Sequence, residues 1–394
     1  MWPGITYETC AWERDPDDLA LVPKSRRRKI LPTYEVAVPA SIAALPVEIP
    51  AQLARRLTEV EVSLARFDTA QAARGYALPA LLLRSESSSS SQIERLTSSV
   101  RNVALAELSS KAPANALIIA GNVAAMREAI GQSGEVGTDS ICAIHDVLMK
   151  GTREALGLRG EQVWIGGSPY SPHGATFVPP HADRVRPCLE DLVAFGARED
   201  ISPIAKAAIF HAQFETIHPF TDGNGRTGRA LLHRMFARDE VLLHAMLPVS
   251  AGLLYDVDRY MGALGAYHDG AIEPMIECLA DALELAAVIG SRIASDVDGV
   301  LAEWASENTD RAGSASHRLP ALLVEQPVVD IAFVALRLGI TDRAARNLVE
   351  VACERGILAK MGNAKRGAFY QASDLIAVLE EASSLEGIRR IAAR

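Results

Sequence analysis

The sequence predicts a mainly α protein with small β ornaments. Three observations carry this. Apolar residues recur at spacings of three and four, as in Leu53, Leu57, Val60 and Leu64, which is the period of one helix face. Long stretches of this kind fill the middle of the chain. The clearest break is Glu161–Pro180, where β-formers and aromatics sit around glycines and prolines, as in a hairpin.

In chain order, residues up to about Pro50 read as irregular, with a basic cluster at Arg26, Arg27, Arg28 and Lys29. Helical periodicity starts at Ala51. A second apolar stretch, Leu78 to Leu83, leads into the serine run Ser87 to Ser91. Helices are predicted over Pro113–Ile130, Thr138–Lys150, Arg186–Gly196, Pro203–Ile217, Arg226–Arg238 and Ile272–Ala294. After Ser306 comes a polar link. The tail then reads as a helix (Val328–Leu338), a turn at Gly339 and Ile340, a helix (Thr341–Arg355) and a short ribbon through Lys360–Tyr370. That order is expected of a winged helix-turn-helix. The expected domains are an N-terminal region 1–110, a core 111–295, a linker 296–317 and the tail 318–394.

The balance of 49% apolar and 23% charged residues is that of an ordinary globular chain. A net charge of −9 argues against a chain that coats nucleic acid. The charge is uneven: from Arg311 onward there are twelve Lys/Arg against nine Asp/Glu, which hints at a separate C-terminal module. The five cysteines are far apart and lack metal or redox spacing, so a reducing, cytoplasmic compartment is expected. Neither a signal peptide nor a membrane span is expected.

The strongest signal is His218-Pro219-Phe220-Thr221-Asp222-Gly223-Asn224-Gly225-Arg226-Thr227-Gly228-Arg229. Gly223 and Gly225 let successive N–H groups point into one concavity that suits phosphate oxygens. A helix starting there adds its positive dipole end. Arg226 and Arg229, three apart, emerge on one face of its first turn and can clamp two phosphates. Asp222 is a hard oxygen ligand suited to Mg²⁺ against phosphates. His218 closes the preceding helix, and its neutral ring can take a proton from an attacking hydroxyl.

This segment resembles in full the signature of the Fic proteins, and Gln213-Phe214-Glu215-Thr216-Ile217 leads into it as in many of them. The resemblance runs from about Ser85 to Ala287, over what looks like a Fic-type helical core. It implies a protein adenylyltransferase that moves AMP from ATP to a Ser, Thr or Tyr hydroxyl with Mg²⁺ or Mn²⁺. His218 would be the general base and Asp222 the metal ligand. Gly223, Asn224 and Gly225 would form the anion hole, continued along Thr227 and Gly228, with Arg226 and Arg229 on the β- and γ-phosphates. A related branch that transfers phosphate carries lysine where this chain has Gly225, so glycine favours nucleotide transfer. A phosphocholine-transferring member shares the whole motif, so transfer of another phosphate-linked group stays open, as does removal of AMP.

By the same resemblance, Glu161–Pro180, introduced by Arg159, is the flap hairpin. Its open edge would take up an extended target segment, and Val163, Trp164, Ile165 and Gly166 would line the nucleotide. Tyr260 matches the first of two tyrosines near the adenine; Met261 and His268 depart from the family there. Ser90-Ser91-Gln92-Ile93-Glu94 resembles the inhibitory motif, with Glu94 pairing Arg229 to block the γ-phosphate. The chain departs from that motif at Arg95, where Gly or Asn is usual. In the tail, Arg343, Arg346 and Asn347 look like the outer face of a recognition helix, with Lys360, Lys365 and Arg366 on a wing. The partners implied are ATP, a target protein at the flap, DNA at the tail and a second copy of the chain. A reading of another class is a DNA-binding regulator whose core senses nucleotide.

Overall fold

The computed structural model describes residues 2–12, 22–23, 27–28, 30–131, 134, 136–150, 152, 156–362 and 367–393. In chain order its elements are β1 (Thr6–Ala11), β2 (Thr33–Val38), α1 (Ala51–Ala72), α2 (Leu78–Ile93), α3 (Val100–Ala106), α4 (Ala114–Gly131), α5 (Thr138–Met149), α6 (Ala182–Gly196), α7 (Pro203–Ile217), α8 (Asn224–Arg238), α9 (Val249–Tyr255), α10 (Val257–His268), α11 (Glu273–Ser306), α12 (Ala315–Glu325), β3 (Val328–Val329), α13 (Ile331–Leu338), α14 (Asp342–Glu354), β4 (Ala359–Met361), β5 (Phe369–Gln371), α15 (Ser373–Ser383) and α16 (Leu385–Ala392). The protein is mainly helical, as the spacing predicts. Among the described residues no helix is long and apolar enough to cross a membrane.

The chain forms two compact units, each assembled from separate stretches. The first comprises residues 1–54, 132–238 and 258–278. Its centre is α7, which is buried on nearly every face, as an all-round apolar helix must be. Pro203 sits in its first turn, where a missing N–H costs nothing. α6 and α8 flank it, and α5 packs on α8. Residues expected to be irregular instead form an antiparallel hairpin, with Thr6 opposite Val38 and Ala11 opposite Thr33. Long-range pairing of short, half-exposed strands leaves little local signal. Trp2 packs on the rings of Phe195 and Tyr267, which ties the start of the chain to this core. Of the basic cluster, Arg27 bonds through Nε to the Val22 carbonyl at 2.7 Å; Arg26 and Lys29 lie outside the described residues.

The second unit comprises residues 55–131, 239–257 and 279–394. At its centre is α2, where the apolar stretch and the serine run join in one helix. Ser85 and Ser87–Ser91 are buried, and their small side chains let α4, α9 and α15 close around them. Glu86 accepts hydrogen bonds from Ser250 N (2.7 Å) and from its hydroxyl, at the positive end of α9. Asp68 accepts from the N–H groups of Leu243, His244 and Ala245 at 3.2, 2.9 and 2.7 Å. α2 ends with Leu96 N–H on Ser91 O (2.9 Å) and Arg95 N–H on Gln92 O (2.8 Å). This is a Schellman cap that puts Arg95 in the left-handed region at φ 63. The usual Gly or Asn at this position thereby acquires a backbone reason.

The tail runs β3, α13, α14, β4, β5, α15 and α16, and against the expected helix Val328–Leu338, Val328 and Val329 are strand and the helix begins at Ile331. The sheet order is β3-β5-β4. Asp330 caps α13 by accepting from Phe333 N at 2.7 Å, which fixes the switch from strand to helix. Arg343, Arg346 and Asn347 are exposed on α14, but so are Asp342 and Glu350; Lys365 and Arg366 lie outside the described residues. The tail is not self-contained. Val328 and Ile376 share a cluster with Ala104 of α3, and Gln326 bonds Ala104 O at 2.8 Å. α11 runs on to Ser306, so the start expected for the linker, at 296, lies inside a helix.

Candidate active site

The site grows from the end of α7. His218 caps that helix in the left-handed region, φ 50 and ψ 63, with its N–H on Phe214 O. For a residue with a Cβ this backbone costs roughly 1 kcal/mol or more, and such residues gather at functional sites. The chain then turns through Pro219–Gly223 into α8.

That turn is fixed from inside. The Asn224 amide accepts from Phe220 N at 2.9 Å and donates to Phe220 O at 2.9 Å, so its side chain closes the loop. Gly223 has φ +76, which favours glycine, and a Cβ there would crowd Leu148 Cδ2 and Met149 Sδ, each 3.0 Å away. Beneath, the fully buried His145 of α5 stacks on Phe220, centroids 3.7 Å apart and planes at 4°. Its Nε2 lies 3.1 Å from Asp222 O, which makes that nitrogen the donor. Burial holds the His145 ring below the usual histidine range.

α8 starts at Asn224, so the N–H groups of its first turn have no intrahelical partner. Gly228 lets α8 approach α7: a Cβ there would meet Glu215 Oε1 at 2.7 Å and Phe214 at 3.0 Å. Arg226 and Arg229 stand on this turn, buried at 3% and 2% exposure. Arg226 pairs with Asp222 Oδ2 at 3.4 Å. The Asp222 side chain is 55% exposed, and its Oδ1 accepts from Gly223 N at 2.7 Å. Among the described residues no cluster of three or more His, Cys, Asp or Glu could hold a metal. One exposed carboxylate next to an anion-binding turn suits a divalent ion held jointly with substrate phosphates.

His218 is held neutral. Burial, then the charge of Arg159, lower its pKa to about 4. Behind α8, His211 is fully buried and lowered to about 3, again by burial first and then by Arg229. Its Nε2 lies 2.7 Å from the Tyr260 hydroxyl, which also takes a hydrogen bond from Arg229. Tyr260 is 1% exposed. The structure therefore sets its side chain against His211 and Arg229. Met261 is exposed, and His268 stacks on Phe177 at 4.5 Å and bonds Thr216 at 3.1 Å.

The flap is a loose hairpin held by bridges at Ile165–Phe177 and Ser168–Ser171. Gly166 and Gly167 at φ +75 and +73 turn its first leg too sharply for a regular strand. Its second leg is joined at Val178 O by Ala37 N of β2, 2.9 Å away. Trp164 bonds Ser168 O at 2.7 Å and meets Trp12 edge-on. Val163 is half-buried; Ile165 and Gly166 are exposed. Thus the first unit gathers His218, Asp222, Gly223–Arg229 and Val163–Gly166, while Ser90 and Glu94, the latter capping α2, belong to the second. Sequence reasoning gave no role to His145, His211 or Arg159. A lone histidine on an apolar face carries no signal of its own, and Arg159 stands in the sequence only as the residue ahead of the flap.

A family model described as Fic/DOC family matches residues 135–236. A probable protein adenylyltransferase from Aquifex aeolicus is 32% identical over 149 residues, 37% of this chain and 42% of that protein. Protein adenylyltransferase fic-1 of Caenorhabditis elegans is 32% identical over 136 residues, 33% of this chain and 25% of that protein. The matched stretch thus spans less than half the length of these relatives. A Fic family protein from Desulfovibrio desulfuricans G20 has the same fold, with TM-score 0.56 and 22% identity over 83% of this chain and 97% of that one. The loop and the helices that carry it therefore lie in a stretch, residues 135–236, that matches the Fic/DOC family and is similar to protein adenylyltransferases.

Proposed function

We propose that the protein transfers AMP from ATP to a hydroxyl side chain of a target protein. The observation that carries this reading is the pairing of a neutral His218 at the end of α7 with an anion-binding first turn of α8, one loop apart. The N–H groups of that turn, with Arg226 and Arg229, suit the phosphates of ATP. The hydroxyl oxygen attacks the α-phosphorus, the bond to the bridging oxygen breaks, and pyrophosphate leaves. The proton passes to the His218 ring. A ring held near 4 is a weak base, and the negative charge of bound phosphates raises it toward the working range. Asp222 is the residue that would hold Mg²⁺ or Mn²⁺, which would neutralise phosphate charge. The flap takes the target segment along the outer edge of its first leg.

The test is His218→Ala. Transfer, read as labelling from ATP marked at the α-phosphate, should fall by roughly 10²–10⁴, with ATP affinity within a few fold of the parent. Labelling at the parental rate would remove His218 as the base. The resemblance further makes Glu94 a brake acting through Arg229. Glu94→Gly should then raise labelling, and Glu94→Gly with Arg229→Ala should fall back. Equal labelling by parent and Glu94→Gly would remove the brake.

A further inference from the structure

Arg159 is buried at 4% exposure, and among the described residues its guanidinium binds only backbone carbonyls. Nε donates to His218 O at 2.8 Å. Nη1 donates to Glu161 O at 3.0 Å. Nη2 donates to Pro180 O at 2.6 Å and to Ile217 O at 3.4 Å. The Arg159 main-chain N–H takes Pro219 O at 3.0 Å. None of these partners is a carboxylate, and burial lowers the guanidinium to about 10. A buried cation without a counter-charge is costly, and tying chain segments together does not need one, because a neutral amide can also bond carbonyls.

The pattern of acceptors says what the guanidinium does. Glu161 and Pro180 are the first and last residues of the flap. Ile217, His218 and Pro219 are the turn that carries the ring. One planar group therefore joins both ends of the flap to the strained residue whose side chain does the chemistry. We infer that Arg159 is a positioning residue of the transfer reaction: it holds His218 and the flap in one frame, so that a hydroxyl presented by a flap-bound target segment arrives at the His218 ring. The inference rests on His218 being the base. Its positive charge adds a second effect, since it opposes an imidazolium at His218. The other groups acting on that ring are the Glu215 backbone and Asp222, and the Arg159 guanidinium bonds neither of them.

The test uses the full chain as parent, Arg159→Gln, Arg159→Lys and His218→Ala. Labelling from α-marked ATP is followed across pH 5–8, affinity is measured with a fluorescent ATP analogue, and amide hydrogen exchange is followed over 161–180 and 218–223. Arg159→Gln should slow labelling by about 10²-fold, the cost of roughly 1 Å of misplacement. The analogue should bind within about twofold of the parent, exchange in both segments should quicken together, and the acid limb should move to higher pH. Arg159→Lys keeps the charge and loses the fork, so its rate should fall while its acid limb stays. The inference is overturned if labelling falls only in step with nucleotide affinity and the acid limb of Arg159→Gln stays put, or if exchange quickens in neither segment. If His218→Ala labels like the parent, the base assignment is wrong. If no protein labels, exchange decides: unchanged rates in both segments for both arginine variants overturn the frame.

Discussion

Arg84 in α2 and Arg159 ahead of the flap are buried to nearly the same depth, at 2% and 4% exposure, yet their partners differ in kind. Arg84 meets the Glu107 carboxylate with Nε at 2.7 Å and Nη2 at 3.0 Å. It also binds Ala80 O, Glu325 O and the Gln326 side chain. Its charge is compensated, and it fastens α2 to the tail within the second unit. Among the described residues Arg159 has carbonyls alone, and its charge acts on His218. A compensated buried arginine serves architecture; an uncompensated one tunes a neighbouring ring. The second unit thus holds a buried arginine with a carboxylate partner, whereas the first holds three histidines whose pKa values burial lowers, His145, His211 and His218.

The largest effect that would test this contrast is on stability. Arg84→Met should cost about 3 kcal/mol, because it leaves the half-buried Glu107 without its main partner. Labelling per folded molecule should stay at the parental level. Adding Glu107→Leu should recover most of the loss, and a double variant as unstable as the single one would show that Arg84 acts by packing alone. Chemical denaturation of the full chain reads both.

The next effect concerns pH. The folded pKa values of His211 and His218, about 3 and about 4, lie below the ordinary 6.5. The unfolded chain therefore binds protons first as pH falls. Stability is full above about 6.5 and declines from there toward the folded values, by about 1 kcal/mol per histidine per pH unit. Between pH 7.5 and 5.5, exchange of amides in α7 and α8 should quicken more than exchange in α2 and α4, after correction for intrinsic rates. Equal changes in both units would erase the contrast.

The smallest effect is at the end of α2. Arg95→Gly relieves a side chain held at φ 63 and should stabilise the second unit by about 1 kcal/mol. A loss of stability would mean that the Arg95 side chain makes contacts that outweigh its backbone strain.

Most of the helical layout was legible because long amphipathic stretches declare their period locally. Pro203–Ile217 matches α7 at both ends, and Thr138–Lys150 overruns α5 by one residue. The first fifty residues were not legible, because β1 pairs with a strand more than twenty residues away. The strand Val328–Val329 was absorbed into the helix after it, since a two-residue strand has no period to read. Tyr260 was placed near the adenine by resemblance, but its burial against His211 depends on how α7, α8 and α10 meet.

The sequence by itself determined the chemistry-bearing loop. Its glycines, arginines, acid and histidine lie within twelve residues, and the role expected of each is read from residue type and spacing there. The tertiary structure alone decided what holds that loop in place. His145, His211 and Arg159 come from stretches up to about seventy residues away, and their effects depend on distance, burial and the dielectric around them. Those quantities exist only once the helices have packed.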